Sequence, residues 1–103
     1  MPARLLVLYG HPTNPSAFDQ YYASTHVPLA KNIPGLRSFT TSTGSTASRE
    51  GRAAYYLVAE LDFDSVADLQ KAFGTPEGEA AGADLANFAT GGATTLWYEV
   101  RNA

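Results

Sequence analysis

Four stretches of the chain have the hydrophobic pattern of β-strands. Arg4–Tyr9 is a compact apolar run, and Ala53–Phe63 leaves few polar positions on either face, so both are predicted to be central strands that are buried on two sides. Leu36–Thr43 is half-polar, with Leu36 among Ser and Thr on one side and Phe39 among Arg and Thr on the other, and Thr94–Val100 carries more threonine and charge. These two are predicted to lie at the edges of the sheet.

The segment between the first two strands is predicted to be helical. Asn14 or Ser16 opens it, and Pro34-Gly35 ends it. At about 3.6 residues per turn, one face carries mostly apolar and aromatic side chains. These are Phe18, Tyr22, Thr25, His26 and Leu29. Pro28 has no N–H for the carbonyl one turn earlier, so we expect a kink or a break there.

A second helical segment lies between the third and fourth strands. Asp64 or Ser65 caps its first part, and Gly74 interrupts it. Thr75 and Pro76 then restart it with a capping hydroxyl and a proline at the first helical position. The prediction is one helical segment in two pieces.

The element order is strand, helix, strand, strand, helix, strand within a single domain, residues 1–103. With right-handed crossovers this order predicts an α+β, ferredoxin-like βαββαβ fold whose antiparallel sheet has the first and third strands at its centre. Residues 42–51 are rich in Ser, Thr and Gly and are predicted to form a mobile hairpin tip. Two helices cover only one face of such a sheet, so the apolar opposite face is predicted to pack against a second copy in a homodimer.

Composition and charge narrow the classes of partner. The formal net charge is −3 and the seven Lys and Arg residues are scattered, so no nucleic-acid partner is expected. No stretch approaches the roughly 20 apolar residues of a membrane span, so no membrane association is expected. The absence of cysteine excludes disulfides and thiolate chemistry and fits a reducing compartment, so we expect a cytoplasmic location.

The first helical segment resembles the signature segment of the EthD family. The residues that carry the resemblance are Phe18, Tyr21-Tyr22, His26, Pro28-Leu29 and Pro34-Gly35. Later stretches, Leu61–Ser65, Thr75–Gly78 and Asp84–Phe88 followed by Gly91-Gly92, are similar to that family in order and spacing. The resemblance implies a ferredoxin-like dimeric α+β barrel. Relatives on that barrel include cofactor-independent monooxygenases, polyketide cyclases, decarboxylases and lactone isomerases.

His26 is the candidate for acid–base chemistry, because an unperturbed imidazole with a pKa of about 6.5 exchanges a proton near neutrality. Tyr22 precedes it by one turn on the same predicted face, where its phenol can hold a substrate oxygen. Both residues also have structural interpretations. His26 can bond a carbonyl that Pro28 leaves free, and Tyr22 can be a core aromatic with its hydroxyl at the rim.

Five further residues are candidates for substrate binding: Tyr9, His11, Phe39, Asp84 and Trp97. His11 follows the first strand, where a loop histidine either lines a pocket mouth or is simply solvated. Asp84, which the EthD resemblance includes, can orient His26 or bind substrate, or it is a capping or surface carboxylate. The aromatic residues can wall a flat ligand, or they are core and dimer contacts.

Several other kinds of site are not indicated. Gly91-Gly92 lacks the lysine of a phosphate loop, and no GxGxxG follows the first strand, so no nucleotide cofactor is expected. The two histidines are far apart and not in a metal-binding arrangement, so no metal is expected. The serines lack the context of a nucleophile elbow, which disfavours Ser-His-acid hydrolysis. We therefore expect no cofactor.

Three functional hypotheses remain open. The first, which the resemblance implies, is a cofactor-independent monooxygenase-type or tailoring enzyme that acts on a small aromatic or polyketide-like molecule, with His26 as general base and Tyr22 stabilising an oxyanion. The second is a non-catalytic accessory homodimer that binds an apolar ligand in the same cavity. The third is a structural dimer with a filled core. A cavity lined by the His26 ring counts against the third.

Overall fold

The four predicted strands pair into one antiparallel sheet in the computed structural model, which describes residues 1–103. The strands in chain order are β1 (Ala3–Gly10), β2 (Ser38–Thr41), β3 (Ala47–Ser48), β4 (Gly51–Arg52), β5 (Tyr55–Phe63) and β6 (Ala93–Glu99). The main sheet has the order β2-β5-β1-β6. Its central and edge strands are those predicted, and the α+β ferredoxin-like fold is confirmed.

The loop between the second and third predicted strands contains an unpredicted element. Short strands β3 and β4 pair antiparallel as a separate ribbon, with Ala47 opposite Arg52 and Ser48 opposite Gly51. Gly51 has a φ of +111°, which only glycine adopts without strain. The predicted hairpin tip therefore contains a short ribbon of its own, and its second strand begins at a glycine with positive φ.

The helices are α1 (Pro15–Tyr21), a π-helical turn (Tyr22–His26), α2 (Val27–Lys31), α3 (Val66–Phe73) and α4 (Pro76–Phe88). Their starts follow the capping signals in the sequence. The side chains of Asn14, Ser65 and Thr75 each accept a hydrogen bond from a backbone N–H in the first turn of α1, α3 and α4. The predicted restart at Thr75 and Pro76 is confirmed.

The helices cover one face of the sheet. Alternate residues of β1, from Ala3 through Leu5 and Val7 to Tyr9, are buried beneath them. The intervening residues are only half-buried. In the single chain β1 is therefore buried on the helix side and half-buried on the other, which is the side expected to pack against a second copy.

The open face of the sheet mixes apolar and charged side chains. Leu96 and Tyr98 on β6 are 39% and 41% exposed. They lie opposite Leu6 and Arg4 of β1. The Arg4 Nε is 2.8 Å from a carboxylate oxygen of Asp62 on β5, so an ion pair interrupts the apolar surface.

The edge strand β6 stands apart from the rest of the sheet, since every one of its residues is exposed. This includes Trp97, which lies on the side of the helices and is 48% exposed. None of the helices is long and apolar enough to span a lipid bilayer.

Candidate functional site

The π-helical turn determines how His26 enters the site. The N–H of Val27 donates to the carbonyl of Tyr22, five residues earlier, instead of to the carbonyl four residues earlier. This wider turn lies directly before Pro28, whose ring would crowd the carbonyl of Ser24 in a regular α-helix. The expected break is therefore absent, because the backbone stays helical from Pro15 to Lys31, and the irregularity expected at Pro28 is this wider turn.

The wider turn also changes which side chains share the inner face. Phe18, Tyr22 and His26 are buried, as predicted. Thr25 is exposed and Leu29 is half-buried. The prediction that Thr25 lies on this face is wrong, because it assumed a regular spacing of about 3.6 residues per turn that the π-helical turn does not keep.

His26 is anchored by a carboxylate from the other helical segment. Its Nδ1 lies 2.9 Å from Oδ2 of Asp84 on α4, and both side chains are buried, at 6% exposed each. The other oxygen of Asp84 accepts hydrogen bonds from the hydroxyl of Tyr21 at 2.6 Å and from the amide of Asn87 at 2.9 Å. Asp84 thus has a partner for each oxygen and holds the ring in one orientation.

Together, hydrogen bonds affect the pKa of Asp84 more strongly than burial does. Burial alone would raise the pKa of this carboxyl, but the bonds from Tyr21, Asn87 and His26 hold its pKa below the ordinary value. An ionised Asp84 accepts the proton on Nδ1 of His26, so the lone pair of the neutral ring lies on Nε2. The second nitrogen is the one available for chemistry.

Two tyrosine hydroxyls lie close to the free nitrogen. The hydroxyl of Tyr9 is 3.5 Å from Nε2 of His26. The hydroxyl of Tyr22 is buried and has no hydrogen-bond partner, although Tyr9 is near enough to influence its pKa. Burial raises the pKa of Tyr22 to about 12 and raises the pKa of Tyr9 even further. Both phenols are therefore protonated donors at neutral pH.

A cavity of about 630 Å³ lies between the helices and the sheet. His26, Tyr9 and Tyr22 supply polar groups to its wall, and most of the other lining side chains are apolar. No lining residue is Asp, Glu, Lys or Arg. Its size and apolar wall are typical of a small-molecule site.

The structure brings together most of the residues predicted for a site. Tyr9, Tyr22, His26, Phe39 and Trp97 all line the cavity. Asp84 does not line it but contacts His26 from behind, so the orienting position among its predicted alternatives is the one observed. The interpretation of His26 as a histidine bonded to a freed backbone carbonyl is wrong, since its Nδ1 partner is a carboxylate.

His11 lies elsewhere. Its Nε2 is 3.0 Å from the carbonyl of Ala53, and its Nδ1 is 2.6 Å from the guanidinium of Arg52. It lines a separate polar depression of about 600 Å³ under the β3–β4 ribbon, together with Asp19 and Tyr56. The structure does not bring His11 to the cavity of His26.

Tyr21, which was not among the candidate site residues, both packs and binds Asp84. Its ring stacks on Phe88 with centroids 5.3 Å apart, and its hydroxyl also binds Asp84. The spacing of Asp84 and Asn87, three residues apart on one helix, signals that they interact. Nothing in the sequence links them to Tyr21, which comes from a different helix.

No group of three or more His, Cys, Asp or Glu side chains is close enough together to hold a metal ion. The polar groups at the His26 end of the cavity are two phenols, one imidazole and the carboxylate behind it, while Gln70 and Thr95 line it elsewhere. This set can accept a proton and donate hydrogen bonds to an oxygen.

The family model for the EthD domain matches residues 10–92. The chain belongs to the EthD family. It is 44% identical over 97 residues, 93% of this chain and 92% of the relative, to an uncharacterized 11.0 kDa protein in the thcB-thcC intergenic region of Rhodococcus erythropolis. An EthD family protein of Bacillus halodurans has a crystal structure that is 37% identical, with a TM-score of 0.89 over 98% of this chain and 100% of that one.

Other solved structures share the fold at lower identity. The hydroxynitrile lyase of Passiflora edulis is 22% identical, with a TM-score of 0.77 over 99% of this chain and 95% of that one. A dimeric ferredoxin-like protein of unknown function from Thermobifida fusca has a TM-score of 0.71 at 16% identity over 97% and 92% of the two chains. A cofactor-independent oxygenase from Streptomyces nogalater has a TM-score of 0.62 at 17% identity over 99% and 94%. The fold is one that small-molecule enzymes use.

Proposed function

We propose that this protein is an enzyme that removes a proton from a small, neutral, oxygenated aromatic or polyketide-like molecule, with His26 as the general base. One observation carries the proposal: Nδ1 of His26 is held by buried Asp84 at 2.9 Å, the ring lines a cavity, and the buried hydroxyl of Tyr22, which lines the same cavity, has no partner. Membership of the EthD family supports it.

The carboxylate behind the ring supports a basic role for His26. When Nε2 takes a proton, the ring becomes an imidazolium, and the ionised Asp84 at Nδ1 stabilises that charge. The same hydrogen bond fixes the tautomer and the direction of the lone pair. A positioned base of this kind contributes about 10² to 10⁴ in rate.

The two phenols support a role in binding the substrate oxygen. Proton removal from a phenol, or from a carbon next to a carbonyl, leaves negative charge on an oxygen. The Tyr22 hydroxyl has a proton and no partner, and Tyr9 lies beside it. Fixed donors in a cavity with little water stabilise such an oxyanion more than water does.

The cavity wall supports a neutral and largely apolar substrate. A carboxylate or phosphate would lose its hydration without meeting a cation, because no Lys or Arg lines the cavity. The rings of Phe39 and Trp97 can contact the flat faces of an aromatic ligand. One oxygen at the His26 end and an unsaturated carbon skeleton beyond it fit this environment.

The anion formed by proton removal has more than one productive fate. It can be protonated elsewhere, or it can cyclise. It can also form a C–O bond to dioxygen at carbon; the O–O bond then breaks, one oxygen stays as a new carbonyl oxygen, and the other leaves as water with the two hydrogens of the substrate. The cofactor-independent oxygenase that shares this fold supports the last fate, and the hydroxynitrile lyase supports a lyase alternative. None of these reactions needs a cofactor in this proposal.

A homodimer is part of the proposal. The open face of the sheet carries half-buried Leu6 and Leu8 beside exposed Leu96 and Tyr98, and a neighbour with this fold is described as dimeric. Packing against a second copy would remove this apolar surface from water. We place the dimer in the cytoplasm, in keeping with a chain that has no cysteine.

The test is deuterium exchange, because it detects proton removal whatever the later fate of the anion. The protein is incubated in deuterium oxide with β-tetralone, a neutral bicyclic ketone with acidic C–H bonds next to its carbonyl, and NMR follows loss of those protons. We expect exchange that disappears in His26→Gln and persists in His11→Gln. Equal exchange by wild type and His26→Gln would contradict the proposal.

Parallel assays distinguish the fates. Oxygen uptake with a dihydroxynaphthalene tests the oxygenase fate, and cyanide release from mandelonitrile tests the lyase fate. The rival function is a non-catalytic accessory dimer, which the mostly apolar cavity also favours. It predicts a small molecule that co-purifies with the protein, is seen by native mass spectrometry, and is recovered unchanged after incubation with wild type or His26→Gln.

A further inference from the structure

The residues that line the cavity divide into a buried floor and an exposed margin. The side chains at the His26 end are buried. Three lining residues on α4 and β6, namely Gly82, Thr95 and Trp97, are exposed. Gln70 and Gly74, at the end of α3, are exposed as well. The cavity therefore meets solvent between the α3–α4 segment and the uncovered edge strand.

Gly82 is in an unusual position for a glycine. It lies inside α4, where glycine disfavours the helix relative to alanine. A Cβ built on it would meet no atom within 4 Å apart from its chain neighbours and the adjoining backbone of its own helix, so no close packing requires the absence of a side chain. Its φ is not in the left-handed region, so the backbone does not require glycine either.

Gly78, one turn earlier on the same helix, shows what a packing glycine looks like. A Cβ there would lie 2.1 Å from the carbonyl oxygen of Ala72. Gly78 is needed for the close approach of α3 and α4. Packing therefore explains why residue 78 is glycine, but it does not explain why residue 82 is glycine. The remaining feature of Gly82 is its position at the cavity.

We infer that the space left by the absent side chain at Gly82 is the entrance of the cavity. The size of residue 82 then determines which molecules can reach His26. Trp97 borders the same opening, with 48% of its surface exposed. A flat, uncharged ligand enters past Gly82 with its polar end towards His26 and leaves its apolar end against the indole. The inference rests on the proposed function for the identity of the ligand, but not for the position of the opening.

Carbethoxylation by diethyl pyrocarbonate tests the opening without any knowledge of the substrate. This neutral reagent transfers an ethoxycarbonyl group to an imidazole nitrogen, with release of carbon dioxide and ethanol. His26 is 6% exposed, so the reagent must reach it through the cavity. Peptide mass spectrometry measures the rate at His26, with His11 and the Met1 amine as internal references outside the cavity.

A leucine at position 82 should close the opening. We expect carbethoxylation of His26 to be about tenfold slower in Gly82→Leu, because the reagent then depends on local opening of the helices. The rates at His11 and Met1 should not change. Gly82→Ala should raise the midpoint of thermal unfolding, because the helix gains propensity, and give an intermediate rate at His26.

Ala83→Leu is the matched control. Ala83 is exposed, adjacent to Gly82 on α4, and does not line the cavity, so the same side chain added there should leave the rate at His26 unchanged. An unchanged rate in Gly82→Leu, equal slowing in Ala83→Leu, or an unreactive His26 in wild type would each overturn the inference. If Gly82→Leu does not fold, a wild-type rate in Gly82→Ala overturns it.

The proposed function and the entrance can fail separately. If deuterium exchange depends on His26 but the carbethoxylation rate is unchanged in Gly82→Leu, the proposed function is supported and the proposed entrance is rejected. Slower carbethoxylation in Gly82→Leu, together with no exchange by wild type, leaves the entrance and removes the function.

Discussion

The two histidines of this chain lie in opposite electrostatic settings. His26 is 6% exposed, lines the cavity, and has the carboxylate of Asp84 at Nδ1 and the Tyr9 hydroxyl 3.5 Å from Nε2. His11 is partly exposed, with the guanidinium of Arg52 at Nδ1 and the carbonyl of Ala53 at Nε2. One ring has an anion at Nδ1 and only a long contact, to a hydroxyl, at Nε2. The other has a cation and no free nitrogen.

The different hydrogen-bond partners of the two rings explain why only His26 is suited to act as a base. Arg52 only donates hydrogen bonds, so Nδ1 of His11 must accept, and Nε2 donates to Ala53. Both nitrogens of that ring are therefore occupied by hydrogen bonds. At His26 the added proton meets the negative charge of Asp84. The same side chain is thus suited to proton transfer in one region and to holding a ribbon in the other.

The largest expected effect on activity comes from replacing each histidine, in turn, with glutamine. His26→Gln should reduce the rate of β-tetralone exchange by about 10² to 10⁴, because glutamine cannot take the proton. His11→Gln should change that rate by less than about twofold, since surface substitutions away from a site have small effects. If the exchange rate fell equally in the two variants, the proposal that only His26 acts as a base would be contradicted.

Asp84→Asn tests the anion behind His26. We expect a loss of about 3 kcal/mol in the free energy of unfolding, because a buried carboxylate with several hydrogen-bond donors is replaced. Urea denaturation measures it. A stability equal to wild type at neutral pH would contradict the assigned network.

The pH dependence of that loss has a definite sign. The folded pKa of Asp84 lies below its ordinary value, which is about 3.9, so its contribution to stability is complete above about pH 4. It decreases as the pH falls through the folded pKa. The difference in stability between wild type and Asp84→Asn should therefore shrink in acid, and a difference that grew there would be contrary to this assignment.

Tyr21→Phe should have a smaller effect on stability than Asp84→Asn. It removes one of the donors to Asp84, at 2.6 Å, and leaves the stacking on Phe88. The midpoint of thermal unfolding should fall, and the pKa of Asp84, measured by NMR, should rise towards its ordinary value. An unchanged pKa would mean that the hydroxyl does not stabilise the carboxylate.

Tyr22→Phe is the matched variant, one residue further along, and should have the smallest effect on folding. Its hydroxyl is buried without a partner, so its removal should leave the free energy of unfolding unchanged or raise it by up to about 1 kcal/mol. The exchange rate should nevertheless fall, because the oxyanion loses a donor. A clear loss of stability would indicate that the hydroxyl has a partner.

Much of the fold was predictable because it follows from local rules. The apolar runs of β1 and β5 identify the central strands, and Asn14, Ser65 and Thr75 mark the starts of helices. The site was predictable in part. His26 and Tyr22 stand out by spacing along one helix, whereas the partner of Tyr21 is 63 positions away in the chain.

The π-helical turn shows where local reasoning was insufficient. Pro28 signals that a regular helix is disturbed, but a kink, a break and a wider turn all relieve the same clash. The wider turn keeps Phe18, Tyr22 and His26 buried together, and packing of these rings against Phe88 stabilises it. The choice was therefore made by contacts between helices.

The amino-acid sequence alone determined the strands, the capped helices and their order, because periodicity and capping act over a few neighbouring residues. Only the tertiary structure decided that Asp84 stands behind His26, that the Tyr22 hydroxyl has no partner, and that a cavity remains between them and Trp97. Those features depend on how α4 packs across the first helical segment and the sheet. Such packing is the sum of many contacts between residues distant in the chain, and no short pattern encodes it.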